Sequence, residues 1–217
     1  MAIRIYIDQG HNPYGVNAGA EGFGLREQDI TYLVGAYLYD LFSANANFEA
    51  LTSRKTPDDS LGYSNYSSLK QRVDEAKEWG ADYFLSIHVN ANENPAIHGT
   101  EGYVYSDDSE SYSLATVLVD SIVNRLGTTF NGIYARPSLY VLRRTPMPAV
   151  LVELAYITNY EDAMLLGTRQ YDFAYALYQG FLLYFGLDEL FRLSCPYTAC
   201  APLIKKYKST ITPSTIR

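Results

Sequence analysis

Segments typical of β-strands and segments typical of α-helices take turns along most of this chain, and this alternation restricts the possible folds more than any other feature. Apolar and polar residues alternate at 3–8, which predicts a strand, and apolar residues recur at three- and four-residue spacing at 27–42, which predicts an amphipathic helix. The same patterns predict further strands at 48–51, 81–87, 102–105, 139–142 and 149–155, and further helices at 67–79, 114–126 and 160–184, the last range holding one helix or two. This order predicts the α/β class: a single domain with a mixed, mostly parallel sheet that helices flank on both faces.

The charge of the chain changes sign near position 186. Residues 1–186 contain 12 Lys and Arg against 22 Asp and Glu, whereas residues 187–217 contain 5 against 2. The second range also has little hydrophobic periodicity. We therefore expect one folded domain over 1–186 and a basic, poorly ordered C-terminal tail over 187–217.

Composition excludes several classes of protein. The formal net charge of -7 argues against nucleic acid as a partner, because phosphate binding requires a basic face. No stretch approaches the ~20 consecutive apolar residues that a membrane-spanning helix needs. The N-terminus lacks the basic and apolar regions of a secretory signal, and two cysteines cannot form a disulfide framework. We expect a monomer without a membrane span, made in the cytoplasm.

Two of the three histidines follow predicted strands. His11 comes shortly after the first strand and His88 ends the strand at 81–87, while Glu27 opens the first helix. Ligands of open α/β sheets collect outside the carboxyl ends of the strands, so these side chains can share one crevice. Two imidazoles and one carboxylate form a known catalytic zinc set with a fourth position for water. The ordinary alternatives are loop histidines and a first-turn acid favoured by the helix dipole.

Glu153 lies in a predicted strand whose neighbouring residues are apolar on both sides. An unpaired carboxylate costs several kcal/mol to bury, so it requires a partner or a function. One interpretation is an ion pair with Arg143 or Arg144 on the preceding predicted strand. The other is a general base that acts on a metal-activated water.

These residues fall in motifs that resemble the zinc-dependent N-acetylmuramoyl-L-alanine amidases of the Amidase_3 family. The motifs occur in the family's order and extend over about residues 3–185. They are Asp8-Gln9-Gly10-His11, Gly24-Leu25-Arg26-Glu27, Leu51-Thr52-Ser53-Arg54, Leu69-Lys70-Gln71-Arg72, the segment 86–91, and Val152-Glu153 with Asn159. Gln9 and Asn12 depart from the Pro and Gly common in the family, which leaves substrate preference open.

The resemblance implies a specific reaction. One Zn²⁺ would be bound by His11, Glu27 and His88, and Glu153 would be the catalytic carboxylate of a catalytic domain at 1–186. The substrate would be peptidoglycan, hydrolysed at the amide between N-acetylmuramic acid and the L-alanine of the stem peptide. The enzyme would act at the cell wall after its release from the cell.

Substrate contacts and the precise reaction stay open at this point. Asn12 and Asn90 are candidates for contacts to amides and sugar hydroxyls, although Asn suits turns equally well. Arg143 is a candidate for a stem-peptide carboxylate, together with Arg136 and Arg144. Alternative functions are another zinc hydrolase of the cell wall, such as a stem-peptide peptidase or a sugar deacetylase, and a wall-binding module without catalysis.

Overall fold

The computed structural model of the chain describes residues 1–107 and 109–187. The basic tail expected over 187–217 therefore lies outside the described residues, except for Leu187. None of the helices in the described ranges has both the length and the hydropathy that crossing a bilayer requires.

A six-stranded mixed sheet forms the centre of the molecule. The strands are β1 (Ile3–Gln9), β2 (Glu21–Gly22), β3 (Leu25–Arg26), β4 (Phe48–Thr52), β5 (Tyr83–Asn90), β6 (Thr100–Val104), β7 (Phe130–Ala135) and β8 (Ala149–Tyr156). The helices are α1 (Glu27–Ser43), α2 (Asn65–Trp79), α3 (Glu110–Leu126), α4 (Tyr140–Arg144), α5 (Tyr160–Thr168) and α6 (Gln170–Phe185). The strand order is β4-β1-β5-β8-β6-β7, and β2 and β3 form a separate hairpin. Neighbouring strands of the large sheet are parallel except β6 and β8, which are antiparallel.

Helices cover both faces of the sheet because successive strand residues point to opposite sides. In β1, Ile5 and Ile7 join one buried cluster, while Tyr6 between them joins the other. The first cluster packs against α1, α3 and α6, and the second packs against α2 and α4. The predicted α/β class and its mostly parallel, two-sided architecture are thus confirmed.

Helix α2 is sharply bounded by local sequence. At its N-terminus, Ser64 and Ser67 form a reciprocal capping box, in which each side chain accepts a hydrogen bond from the other residue's backbone N–H. At its C-terminus, Gly80 adopts a left-handed conformation with φ of 72°. These ends fix the position of Arg72, the residue by which α2 contacts the candidate site described below.

The strand predicted at 139–142 is wrong. Residues 140–142 belong to the short helix α4, and Val141 and Leu142 are buried in the second cluster. A short apolar run has no periodicity that separates a strand from a helix, so packing decides between them.

Strand β7 and the β2–β3 hairpin were not predicted. Strand β7 is a half-exposed edge strand interrupted by Gly132, which hides the apolar alternation of a strand.

Candidate active site

The three predicted metal-binding residues meet at the carboxyl ends of β1 and β5. These strands are parallel neighbours with Gln9 opposite Ile87, so the residues that follow emerge at the same edge of the sheet. His11 lies in the loop after β1, His88 lies in β5, and Glu27 is the first residue of α1. The structure brings one potential ligand atom from each of the three within 4.8 Å of the others.

Both imidazoles point at the same carboxylate oxygen. His11 Nε2 and His88 Nδ1 each lie 3.0 Å from Glu27 Oε1. The exposed fraction of the side chain is 18% for His11, 19% for His88 and 5% for Glu27. The Glu27 side of the cluster is therefore buried in the protein, while the two imidazoles stay partly accessible to solvent.

Backbone groups orient the Glu27 carboxylate and the His11 ring. Glu27 Oε2 accepts a hydrogen bond from the Ala20 N–H at 2.9 Å, and Oε1 accepts one from the Val89 N–H at 2.9 Å. His11 Nδ1 lies 3.1 Å from the Asn17 carbonyl, which can only accept, so Nδ1 carries the proton. In a neutral His11, Nε2 then carries a lone pair that faces Glu27 Oε1. Because both atoms are electron-rich, this contact requires a proton or a cation between them. This donor set fits a divalent metal ion such as Zn²⁺.

Electrostatics keep the Glu27 carboxylate charged. Burial by itself would raise the pKa of Glu27, but hydrogen bonds with His11 and His88 outweigh burial and lower the pKa well below its ordinary value. Glu27 is therefore an anion at neutral pH, which is the state that a metal ligand requires.

A buried ion pair beneath the cluster fixes the main chain around His11. Arg72, whose side chain is 1% exposed, donates to Asp8 Oδ1 at 2.6 Å and to the carbonyls of Gln9 and His11 at 2.6 and 2.7 Å. Ser86 also donates to Asp8 Oδ2 at 2.7 Å. Burial raises the pKa of Asp8, but the Arg72 guanidinium outweighs burial and lowers it overall. Helix α2 thus holds the loop that presents one imidazole.

Asn12 lies under the candidate site and not on its surface. The side chain is fully buried. Its Nδ2 donates to the carbonyls of Val16 and Leu61, and its Oδ1 accepts from the Leu61 N–H and from Arg72. With its polar atoms used in this way, Asn12 is not available to a substrate, contrary to the expectation from sequence.

Glu153 lies beside the histidine–glutamate cluster. It is directly opposite His88 across β5 and β8, at the start of an irregularity in which the next pair is Asn90 with Tyr156. Such bulges redirect side chains and occur next to active sites. Glu153 Oε2 is buried and has no hydrogen-bond partner in the described part of the chain. Burial, together with the carboxylates of Glu27 and Glu101, raises the pKa of Glu153 well above its ordinary value of 4.5.

The expected ion pair between Glu153 and an arginine is wrong. Arg143 and Arg144 lie on α4, where both are exposed, and neither makes a salt bridge within the described residues. The prediction failed because it placed these arginines on a strand next to β8. Arg143 has no contact that links it to the cluster around His88.

Sequence analysis missed a second buried carboxylate at the site. Glu101 of β6 lies directly opposite Glu153 of β8 and is 8% exposed. It accepts hydrogen bonds from the hydroxyl of Tyr103 at 2.6 Å, from the hydroxyl of Tyr156, and from Asn90 Nδ2 at 3.4 Å. The sequence carried only a weak signal, because Glu101 directly precedes the strand predicted at 102–105 and so did not stand out as an acid inside a strand. Asn90 is partly exposed here, so it stays a candidate for substrate contact.

Comparisons with known proteins show the family of the chain. The family model described as N-acetylmuramoyl-L-alanine amidase matches residues 5–182. The chain is 37% identical to the protein YqiI of Bacillus subtilis over 77% of this chain and 76% of that protein. It is 31% identical to the sporulation-specific N-acetylmuramoyl-L-alanine amidase of the same organism, over 88% of this chain and 69% of that one.

A solved structure is similar over almost the same range. The amidase AmiC2 of Nostoc punctiforme superimposes with a TM-score of 0.74 at 31% identity, covering 85% of this chain and 97% of that chain. Sequence and fold thus agree, and we conclude that the chain belongs to the N-acetylmuramoyl-L-alanine amidase family.

Proposed function

We propose that this enzyme hydrolyses the amide between N-acetylmuramic acid and the L-alanine of the peptidoglycan stem peptide, with one Zn²⁺ bound by His11, Glu27 and His88. The observation that carries the proposal is the convergence of these three side chains on one point beside Glu153. Family membership supports the substrate class, and the geometry of the three side chains supports the proposed roles of the residues.

The ligand set suits catalysis because it is incomplete. Three protein ligands leave a fourth position of a tetrahedral zinc site open to water or substrate. When bound, Zn²⁺ would polarise the scissile carbonyl and lower the pKa of a water molecule toward ~7. The partial exposure of His11 and His88 leaves this side of the cluster open to a substrate.

Glu153 is the general base in this proposal. Its buried, unpartnered Oε2 takes the proton of the attacking water while the water oxygen bonds to the scissile carbonyl carbon. The same oxygen then passes this proton to the alanine nitrogen as the carbon–nitrogen bond breaks. The raised pKa supports both steps, because a carboxylate that binds its proton more strongly is a better base and still releases the proton to an amine.

A conservative exchange of the carboxylate tests this role. Glu153→Gln keeps the shape of the side chain and removes only the base, so zinc content should stay near one ion per chain while the rate falls by a factor on the order of 10²–10⁴. The measurement is metal analysis, followed by counting the L-alanine amino termini released from peptidoglycan. Glu161→Gln, an exposed acid in the first turn of α5, is the matched control and should behave like the wild type.

The products separate this proposal from its rivals. An amidase releases L-alanine amino termini and leaves the glycan uncut, a stem-peptide peptidase frees other amino termini, and a deacetylase frees acetate. If the wild type binds zinc but frees other amino termini or acetate, the metal site stands and the substrate assignment fails. If the wild type binds no zinc, the role of His11, Glu27 and His88 fails.

A further inference from the structure

Arg136 lies just beyond the end of β7, with its guanidinium over two aromatic rings. The guanidinium carbon is 5.2 Å from the ring centroid of Tyr103 and 5.3 Å from that of Tyr134. The Arg136 N–H donates to the Val104 carbonyl at 2.7 Å, which continues the pairing of β6 and β7. An exposed arginine normally loses rotamer freedom when it binds an anion. Stacking on two tyrosines removes part of that entropic cost in advance.

Among the residues that the structure describes, the Arg136 guanidinium has no anionic partner. Most other arginines of the described ranges bind a carboxylate or backbone carbonyls, as Arg26 does with Asp29 and Arg125 with Asp172. Arg136 makes no salt bridge within 4.0 Å in that part of the chain, and the residue is exposed. Arg143 and Arg144 also lack a carboxylate partner, but neither is stacked on a ring.

This cation is connected to the proposed catalytic centre through a short chain of contacts. The hydroxyl of Tyr103 donates to Glu101 Oε2 at 2.6 Å, and Glu101 lies opposite Glu153 on the neighbouring strand. Residues 101 and 103 point to the same face of β6, since alternate strand residues share a face. Ordinary covalent lengths then place the guanidinium carbon on the order of 10 Å from Glu101. An extended peptide covers this distance with about three residues.

We propose that Arg136 binds a free carboxylate on the second or third residue of the stem peptide, and so sets the enzyme's preference for acidic over amidated peptides. The inference rests on the proposed function, which places the scissile amide beside Glu153. Charge complementarity supports it: the acids Glu101 and Glu153 lie opposite each other beside the proposed metal site, and a further acidic group of the peptide is disfavoured next to them. A cation held farther along the same face attracts the acidic part of the peptide away from these groups.

The test uses two soluble fragments that differ only at the second and third residues of the stem peptide, with free carboxylates in one and primary amides in the other. Binding is measured in the Glu153→Gln background and kcat and KM in the active enzyme. Arg136→Gln should weaken binding of the acidic fragment about tenfold and raise its KM similarly, with kcat and the amidated fragment unaffected. Arg136→Lys should retain part of the affinity. Arg144→Gln, an exposed arginine without ring contacts, is the control and should match the wild type for both fragments.

Several outcomes would overturn the inference. Equal losses on both fragments would mean that Arg136 only packs against Tyr103 and Tyr134, and no loss on either would mean that it makes no contact with the peptide. A loss confined to intact walls that carry phosphate polymers, with both fragments unaffected, would assign the cation to wall phosphate. If the wild type cuts neither fragment but Arg136→Gln still weakens binding of the acidic one alone, the proposed function fails while this inference stands.

Discussion

Glu27 combines two structural tasks that are usually carried out by different residues. It is the first residue of α1, a helix whose preceding residue, Arg26, gives no side-chain cap. Its carboxylate bonds to the backbone N–H groups of Ala20 and Val89 and also faces both imidazoles. The carboxylate therefore connects the segment just before β2, strand β5 and the start of α1 at one point. An acid in the first turn of a helix is ordinary, and only these long-range contacts distinguish this one.

Glu153 should make the metal-free protein less stable as pH rises. Its pKa is raised by burial and by neighbouring carboxylates, so the folded state keeps a proton that the unfolded chain loses near pH 4.5. The free energy of unfolding should therefore fall above this pH in the wild type. Glu153→Gln cannot ionise at this position, so between pH 5 and pH 8 the wild type should lose about 1–3 kcal/mol of stability relative to the variant, the cost of charging a buried oxygen without a partner.

Denaturant titrations in EDTA at pH 5 and pH 8 measure this difference. Groups far from Glu153 titrate alike in both proteins, so the comparison reports on Glu153 and the acids coupled to it. The exposed Glu161→Gln variant should show the wild-type pH dependence. A wild type whose stability relative to Glu153→Gln is the same at both pH values would contradict the assignment of Glu153 as a destabilised, buried acid.

At the scale of the elements, the close approach of β1 and β5 decides whether the two imidazoles can meet. Gly10, just after β1, allows this approach: a Cβ there would lie 2.6 Å from His88 Cε1 and 2.6 Å from the Ile87 carbonyl oxygen. Its backbone N–H donates to Ile87 at 3.0 Å, and its carbonyl accepts from Thr31 at 2.7 Å. The glycine is thus required for contact between strand ends, not for a turn.

Gly10→Ala should separate these two strand ends or displace the His88 ring. We expect a loss of about 1–3 kcal/mol in the free energy of unfolding from overpacking. Zinc affinity should also fall by about 10–100-fold, as occurs when groups that orient metal ligands are disturbed. Competition with a zinc-binding dye measures the affinity. Gly167→Ala is the control, because a Cβ there finds only ordinary contacts at 3.4 Å in a helix, and it should leave zinc binding unchanged. Wild-type zinc affinity in Gly10→Ala would show that the approach at Gly10 does not position His88.

At the scale of the whole molecule, the proposed zinc ion would join a loop, a strand and a helix that are distant in sequence. A ligand present at about 1,000 times its Kd stabilises the folded state by about 4 kcal/mol. For a domain of this size, that corresponds to an increase in Tm of roughly 10 °C over the EDTA-treated protein. Thermal unfolding with zinc and with EDTA measures the change.

Histidine variants make this comparison specific. His88→Ala should lose most of the response of Tm to zinc, whereas His98→Ala should keep it, since His98 lies in an exposed loop away from the cluster. An equal Tm for the wild type in zinc and in EDTA would contradict a metal site at His11, Glu27 and His88.

Sequence alone determined the elements that local patterns encode. Alternation of strands and helices predicted the α/β class. The residues that follow two strands and open one helix were predicted to lie together, and the structure brings potential ligand atoms of His11, His88 and Glu27 within 4.8 Å of one another. These inferences succeeded because periodicity and the ends of strands are properties of short segments. The strand predicted at 139–142 was wrong because such a short run shows no clear period. Its structure depends on packing against α2.

Only the tertiary structure decided which distant residues became neighbours. Inserting β8 between β5 and β6 places Glu153 beside both His88 and Glu101, and folding α2 over the sheet pairs Arg72 with Asp8, 64 residues away. It also separates Arg136, stacked on Tyr103, from the arginines of α4. Strand order and helix packing depend on the burial of the whole core and on no single segment, so no local pattern in the sequence contains them.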